Sequence, residues 1–314
     1  MIARSAYCGL EFIHDVELPE LPELGDASSD EPGDLEILGL EIPVDAPKSW
    51  VHDWTDGSYI VMSLAAVGGC RFLRFDDGNV FTFDRRKRTV RYPTPVDVNT
   101  RHQLLDHVLP RVLDDLGHLM IHGSAISTQS GSIVFIGDSG AGKSTLVASF
   151  ASAGTEMLSD DGLRLISDPD GRVDCIPTYR SLRLWPDSAE ALMEGTASEP
   201  MSAENDKLRL DLPSAPPSES TTVAAICVLT TPEYDTVSAI TFSPVAPARA
   251  VSLLLAQCFR LDPTDAEATA RAFQRCADVV ERVPVVEISY PREYNKLSAV
   301  CDAVLQQAAD NNWS

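Results

Sequence analysis

The sequence predicts an α/β protein in two parts: a β-rich N-terminal domain over residues 1–98 and an α/β domain over 99–314 built around a phosphate-binding loop. Three observations predict it. Gly137-Asp138-Ser139-Gly140-Ala141-Gly142-Lys143-Ser144 matches the pattern G-x-x-x-x-G-K-[ST] in full. The apolar, β-branched run Ile133-Val134-Phe135-Ile136 precedes it as a buried strand should, and Leu146–Ala153 follows as a helix that Gly154 ends. The first hundred residues, by contrast, read as short strands separated by turn signals.

In chain order, Ser5–Val16 reads as a strand. Glu17–Asp34 is acidic and punctuated by proline, and Glu11 to Asp45 holds twelve carboxylates with no Lys or Arg. Such a stretch reads as solvated and partly mobile, or more sharply as a docking surface for a basic peptide. Leu35–Val44, Ser58–Val67 and Arg71–Phe75 have strand character, and Asp76-Asp77-Gly78-Asn79 is a hairpin signal. Asn79–Phe83 and Thr89–Tyr92 flank the basic tetrad Arg85-Arg86-Lys87-Arg88, read as an exposed turn. Pro93–Asn99 reads as a linker, and Thr100–Leu116 as one helix with a broad apolar face.

The second part opens with Leu119–Ile126, a strand interrupted by His122-Gly123. Beyond the loop, Leu163–Ser167 and Val173–Ile176 flank the turn Asp168–Gly171. Pro177–Pro186 mixes aromatic and basic residues, with Trp185 read as a core residue. Gly195–Thr222 is long and rich in Ser, Pro and Glu, which reads as a lid or a disordered segment. Val223–Thr230 and Val237–Ser243 read as strands, Ala246–Arg260 and Asp265–Arg282 as helices with Thr264 as the second one's N-cap. Val285–Tyr290 is a last strand and Tyr294–Ala309 a closing amphipathic helix.

Composition narrows the function classes. Apolar content of 44% is that of a globular protein, whereas a formal charge of −22 repels nucleic acid and anionic lipid. Seven scattered cysteines without a C-x-x-C read as reduced thiols. There is no basic segment followed by an apolar core at the N-terminus and no bilayer-length apolar run, so the expectation is a cytoplasmic protein.

The site chemistry centres on the loop. A polyphosphate needs several inward-pointing N–H groups, and glycines let the backbone curl tightly enough to supply them. The helix that follows presents its positive N-terminus to the phosphates. Lys143 adds a mobile charge and the Ser144 hydroxyl suits Mg²⁺, so Gly137, Asp138, Ser139, Gly140, Ala141, Gly142, Lys143, Ser144 and Thr145 form the nucleotide-binding set. The motif alone does not choose between ATP and GTP, or between hydrolysis and transfer.

Phosphoryl transfer also needs a carboxylate for the metal, and a base if a hydroxyl attacks. Asp160 and Asp161 follow Lys143 by 17 and 18 residues, at the tip of the strand after the first helix. Alternate strand residues face opposite ways, so one is expected to hold Mg²⁺ while the other faces the acceptor. His122 lies 21 residues before Lys143 and is expected near the γ-phosphate. Arg180, Arg183, Lys207 and Arg209 are candidates for anion contact on the substrate side.

His122-Gly123, the loop and Asp160-Asp161 together resemble the catalytic core of the HPr kinase/phosphorylase family, which shares a fold relationship with ATP-dependent PEP carboxykinases. The likeness covers about 40 residues, His122 to Asp161, and extends more loosely to Trp185. Leu182-Arg183-Leu184-Trp185-Pro186-Asp187-Ser188, the closing strand and helix, and the N-terminal Tyr7-Cys8-Gly9-Leu10 and Leu18-Pro19-Glu20-Leu21 are most similar to HPr-kinase-related proteins encoded with lasso-peptide (ribosomal peptide) biosynthesis genes. The resemblance implies ATP and Mg²⁺ as cofactors, and a homo-oligomer. It places Lys143 on the β- and γ-phosphates, makes Ser144 a metal ligand, Asp160 metal-linked or structural, and Asp161 the base for an attacking serine. His122 would lie beside the transferred phosphoryl. The family's downstream metal-binding Glu, in a Leu-Glu-Ile-Arg-Gly-like motif, has no match here, and Arg183 stands in that region. Its loop for docking HPr is also not recognisable.

The leading expectation is therefore an ATP- and Mg²⁺-dependent serine kinase acting on a peptide or small protein, with a ribosomal lasso-peptide precursor as the acceptor. The alternatives are an HPr kinase/phosphorylase, a small-molecule or PEP-carboxykinase-like enzyme, and a nucleotide-binding regulator that transfers nothing.

Overall fold

In the computed structural model of the chain, described residues are 2–26, 33–40, 47–179, 181–193, 195–196, 198–200, 206–210, 220–230 and 237–313. They form two compact units: Met1–Gly117 with Phe259–Ala270, and His118–Cys258 with Arg271–Ser314.

The first unit is a nine-stranded sheet. From edge to edge its strands are Glu23–Asp26, Ala3–Tyr7, Leu10–His14, Leu35–Gly39, Thr89–Tyr92, Val80–Asp84, Cys70–Phe75, Tyr59–Val67 and His52–Asp56. The strand expected over Ser5–Val16 is instead a hairpin. Cys8 and Gly9 both adopt positive φ, 53° and 70°, the geometry of a two-residue turn whose twist matches the flanking strands. The acidic segment is not simply solvated, since Val16, Leu18 and Leu21 are buried between its carboxylates. Residues 27–32 and 41–46 lie outside the described set. The basic tetrad is a turn as expected, and Arg88 Nε donates to the Asp34 carbonyl at 2.6 Å.

The helix expected over Thr100–Leu116 groups with this unit rather than with the residues after it. Tyr7 Oη donates to the Leu105 carbonyl at 2.7 Å, and Gln103 Nε2 to Asp77 at 2.8 Å. It runs as Val98–His102, a π-helical stretch Gln103–Val108, and Leu109–Asp115. Pro110 explains the wide turn: it has no N–H to give Asp106 O four residues back, so the ladder shifts register there and Leu109 N bonds Leu104 O.

The second unit holds a larger mixed sheet. Its strand order is Leu119–Ile121, Leu163–Ser167, Val173–Pro177, Thr221–Leu229, Gly131–Ile136, Ser124–Thr128 and Met157–Ser159, with Val285–Ser289 also on Thr221–Leu229 and Thr241–Pro244 beyond it. Gly131–Ile136, Thr221–Leu229 and Val285–Ser289 run parallel at its centre. Successive side chains of the first go to opposite faces. Ile133 and Phe135 join Leu146 and Phe150 of the helix Lys143–Ser152 and Val300 and Val304 of the helix Leu297–Ala309. Val134 and Ile136 join Val251 and Leu254 of the helix Pro247–Ala256 and Cys276 and Val279 of Ala266–Arg282. Burial on both faces is why this strand reads as an unbroken apolar run, and each such side chain contributes roughly 1.5–3 kcal/mol.

Several expectations change from Gly195 onward. Gly195–Thr222 contains two short strands, Leu208–Leu210, which pairs with Leu182–Leu184, and Ser198–Pro200, which pairs with Leu208–Leu210 on its other side, making a small separate sheet. The strand expected over Val237–Ser243 is Thr241–Pro244, and the helix expected over Ala246–Arg260 ends at Ala256. Asp265, not Thr264, caps the helix Ala266–Arg282: its Oδ1 accepts from Ala268 N at 2.9 Å, while Thr264 turns back to Asp262. None of the seven cysteines is in a disulfide, and burial raises the Cys175 thiol to about 12. Among the described residues no helix is long and apolar enough to cross a membrane.

Candidate functional site

The strand Gly131–Ile136 ends in the glycine-rich loop, and the helix starting at Lys143 leaves it. The glycines are there for different reasons. Gly137 has φ 150°, and a Cβ on it would overlap the Leu229 carbonyl of the neighbouring strand. Gly140 has φ 79° and faces open space. Gly142 has φ 88° and sits immediately before the helix. Left-handed backbone at Gly140 and Gly142 curls the chain into a cradle that L side chains resist.

Lys143 folds across this cradle. Its Nζ donates to Gly137 O at 2.8 Å and Asp138 O at 3.2 Å, and the residue is 6% exposed. Burial lowers its pKa below the ordinary 10.5, with the charges of Asp161, Asp160 and Asp138 opposing the shift and Lys207 adding to it. A cleft of about 100 Å³ opens here. The loop contributes Ser139, Gly140, Gly142, Lys143, Ser144 and Thr145, and the far wall contributes His122, Asp161, Arg183, Trp185 and Lys207.

The two aspartates point apart, as expected, although strand alternation is not the cause. They lie just past Met157–Ser159, where Asp161 takes the left-handed φ of 74°. Ser159 Oγ and Thr178 Oγ1 both donate to Gly162 O, which holds that turn in place. Asp160 is 1% exposed and its carboxylate is an internal hub. Oδ1 accepts from Ser124 Oγ at 2.6 Å and Ser144 Oγ at 2.9 Å, and Oδ2 from Arg183 N at 3.0 Å. Asp161 keeps 30% of its side chain exposed to the cleft. His122 Nε2 lies 2.9 Å from Asp161 Oδ1, and Arg183 Nη1 is 3.6 Å from its Oδ2. The His122 backbone is itself fixed, since its N–H donates to Gln257 O at 2.7 Å. Gly123 lets this segment pass close to the neighbouring strand, where a Cβ would sit 2.8 Å from Phe135 O.

The cationic residues divide. Arg183 is 4% and Arg209 8% exposed. Arg183 donates to Asp160 O at 2.8 Å and to Tyr179 Oη, and Arg209 Nη2 donates to the same hydroxyl at 3.3 Å. Both guanidinium groups lie over the Tyr179 ring, at 5.3 and 5.8 Å from its centroid. They act first as a framework behind the aspartates, and Arg183 alone also borders the cleft. Lys207 Nζ lies 5.5 Å from the Trp185 ring centroid at the rim. Trp185 is 49% exposed, which corrects its reading as a core residue: Leu182 and Leu184 take the buried positions of that segment. Arg180 lies outside the described residues.

Three contributors were not visible in the sequence. Ser124 and Tyr179 carry no motif of their own, although Tyr179 sits in the aromatic and basic stretch before Trp185. Arg292, 151 residues from Ala141, reaches the loop only through the fold. Among the described residues no three His, Cys, Asp or Glu side chains are grouped to hold a metal by themselves. Ser144 and the carboxylates do form an all-oxygen donor set, the chemistry that suits Mg²⁺ shared with a phosphate ligand.

No protein-family model matches the sequence, and a search of curated proteins finds no match. Among solved structures the chain is similar to the HPr(Ser) kinase/phosphatase from Coxiella burnetii, with 12% identity and a TM-score of 0.32 over 61% of this chain and 97% of that one.

Proposed function

We propose that this chain is an ATP- and Mg²⁺-dependent kinase that transfers the γ-phosphoryl group of ATP to a serine hydroxyl of a peptide or small protein. The observation that carries the reading is Asp161: a carboxylate exposed in the same cleft as Lys143 and Ser144, with His122 bonded to one oxygen and Arg183 near the other. A protein that only binds nucleotide has no use for such a group.

In this reading Asp161 takes the proton of the attacking hydroxyl as the serine oxygen bonds to the γ-phosphorus and the bond to the bridging β-γ oxygen breaks, releasing ADP. His122 holds the carboxylate in orientation, and Arg183 lends positive charge beside it. Lys143, turned away from Gly137 O and Asp138 O, and the loop N–H groups take up charge on the transferred phosphoryl. Ser144 fits a metal ligand because its hydroxyl proton is directed to Asp160, which leaves its lone pairs for the cleft. Mg²⁺ held there by Ser144 together with phosphate oxygens would neutralise phosphate charge, which leaves Asp161 free to act as the base. Asp160, with both oxygens already accepting, is assigned the task of orienting Ser144.

The rim supports a polymeric acceptor. Trp185 offers an exposed aromatic face beside the cleft, and Lys207 adds a cation next to it. Such a surface suits the residues flanking a target serine better than a free small metabolite. A ribosomal lasso-peptide precursor is the first acceptor to test.

The test is transfer of label from γ-labelled ATP with Mg²⁺ to the precursor peptide, with HPr and free serine in parallel. Asp161→Asn should lower transfer by about 10²- to 10⁴-fold, the usual worth of a general base. Asn tolerates the left-handed backbone at 161, so the change isolates the chemistry. Wild-type transfer by the Asn variant would overturn the assignment.

A further inference from the structure

We infer that Arg292 is a positioning residue of the nucleotide site, clasping the glycine-rich loop to the ends of two parallel strands and thereby setting the direction of a loop N–H. The inference deepens the kinase reading and rests on it.

Arg292 follows the closing strand Val285–Ser289 by three residues. Its Nη1 donates to the Ala141 carbonyl in the middle of the loop and, at 3.2 Å, to Tyr290 Oη. Its Nη2 donates at 2.6 Å to the carbonyl of Thr230, the first residue past the strand Thr221–Leu229. The guanidinium stacks 4.5 Å from the centroid of the Tyr290 ring, and Tyr290 itself is 3% exposed. One planar fork thus joins the loop to the carboxyl ends of two strands that the sheet already holds in parallel register. A ligand bound outside those strand ends would meet a loop whose place the sheet dictates.

The consequence for binding comes from peptide geometry. The Ala141–Gly142 peptide is planar and trans, so its C=O and N–H point in opposite directions. With Ala141 O turned to Arg292, the Gly142 N–H turns the other way, and Gly142 lines the cleft. The Ala141 N–H is engaged with Asp138 O at 3.0 Å, so the two neighbouring peptides are oriented independently. The φ of 88° at Gly142 favours glycine, and a Cβ there would come within 2.6 Å of Arg292 Nη1 and push the guanidinium off the loop. Lysine could not replace the arginine fully, because a point ammonium cannot hold both strand ends in one plane.

The experiment is calorimetric binding of Mg²⁺-ATP, and separately of inorganic tripolyphosphate, to the full chain as wild type, Arg292→Met and Arg292→Lys. Arg292→Met should weaken both ligands by about tenfold, the worth of one charge-assisted hydrogen bond, and should raise KM for ATP more than it lowers kcat. Arg292→Lys should recover part of the loss, and thermal unfolding without ligand should stay in place because the side chain is exposed. Unchanged affinity in Arg292→Met, with a wild type that binds, would overturn this inference alone. Loss for ATP but not for tripolyphosphate would overturn it too, by making Arg292 a nucleoside contact. A fall in unfolding temperature that Arg292→Lys does not recover would assign the residue to general stability. Absence of nucleotide binding by the wild type would overturn the kinase reading and the inference together.

Discussion

The two walls of the cleft are made in different ways. The Gly137–Thr145 wall is contiguous, and its shape resides in the backbone: positive φ at Gly137, Gly140 and Gly142 and a helix that starts at Lys143. The opposite wall is assembled from His122, Asp161, Arg183, Trp185 and Lys207, with Asp160 and Tyr179 behind it, and its shape resides in side-chain bonds between segments. A wall made of backbone tolerates side-chain changes that keep its glycines. A wall made of side chains depends on every partner, and most on the buried ones.

The sharpest way to break that comparison is to treat the two aspartates alike. Asp160→Asn places an amide where both carboxylate oxygens now accept. One end still serves Ser124 and Ser144, but the other sets an N–H donor against Arg183 N. The expected loss is about 1–3 kcal/mol of stability, read as a lower denaturant midpoint. Asp161→Asn, whose side chain is 30% exposed and keeps an oxygen for His122, should cost less than Asp160→Asn. Equal losses in the two variants would erase the distinction between hub and reactive group.

A smaller effect tests the framework behind them. Tyr179→Phe keeps the ring under Arg183 and Arg209 but removes the hydroxyl that both donate to. It should cost about 1 kcal/mol in urea unfolding and lower transfer only through slight misplacement of Asp161. No change in either measurement would mean that the arginines are held without Tyr179.

The smallest expected effect concerns charge on the loop. Burial lowers the Lys143 pKa below 10.5, so between that lowered value and 10.5 the unfolded chain binds more protons than the folded one. Unliganded stability should therefore rise with pH across that window. On the proposed function a bound nucleotide would favour the charged amine, so binding in that window should take up a proton, seen as a dependence of the calorimetric heat on buffer ionisation enthalpy. In Lys143→Arg, which stays charged, the uptake should vanish; if it persists, another group is titrating.

The wall legible in the sequence was the contiguous one. Glycines at fixed offsets, the apolar strand before them and the helix after are all local consequences of backbone freedom and burial. Asp160 and Asp161 were legible as a pair, but not which was the hub, because that depends on Ser124, Ser144 and the Arg183 N–H. Composition misled over Trp185, whose size suggested core although Leu182 and Leu184 already fill the buried positions. It misled again over the acidic segment, where Leu18 and Leu21 anchor what charge alone painted as solvated. The hairpin at Cys8-Gly9 was missed because a non-glycine residue takes one of the two left-handed positions.

What the sequence determined by itself was therefore whatever neighbouring residues decide among themselves: the glycine-rich turn, the strand and helix flanking it, the mixed α/β character and the acidic surface. Only the tertiary structure decided which side chains stand opposite that turn, which aspartate is buried, and that Arg292 returns to Ala141 from the far end of the chain. Backbone conformation is set over a few residues, whereas burial and hydrogen-bond partners depend on where distant segments come to rest.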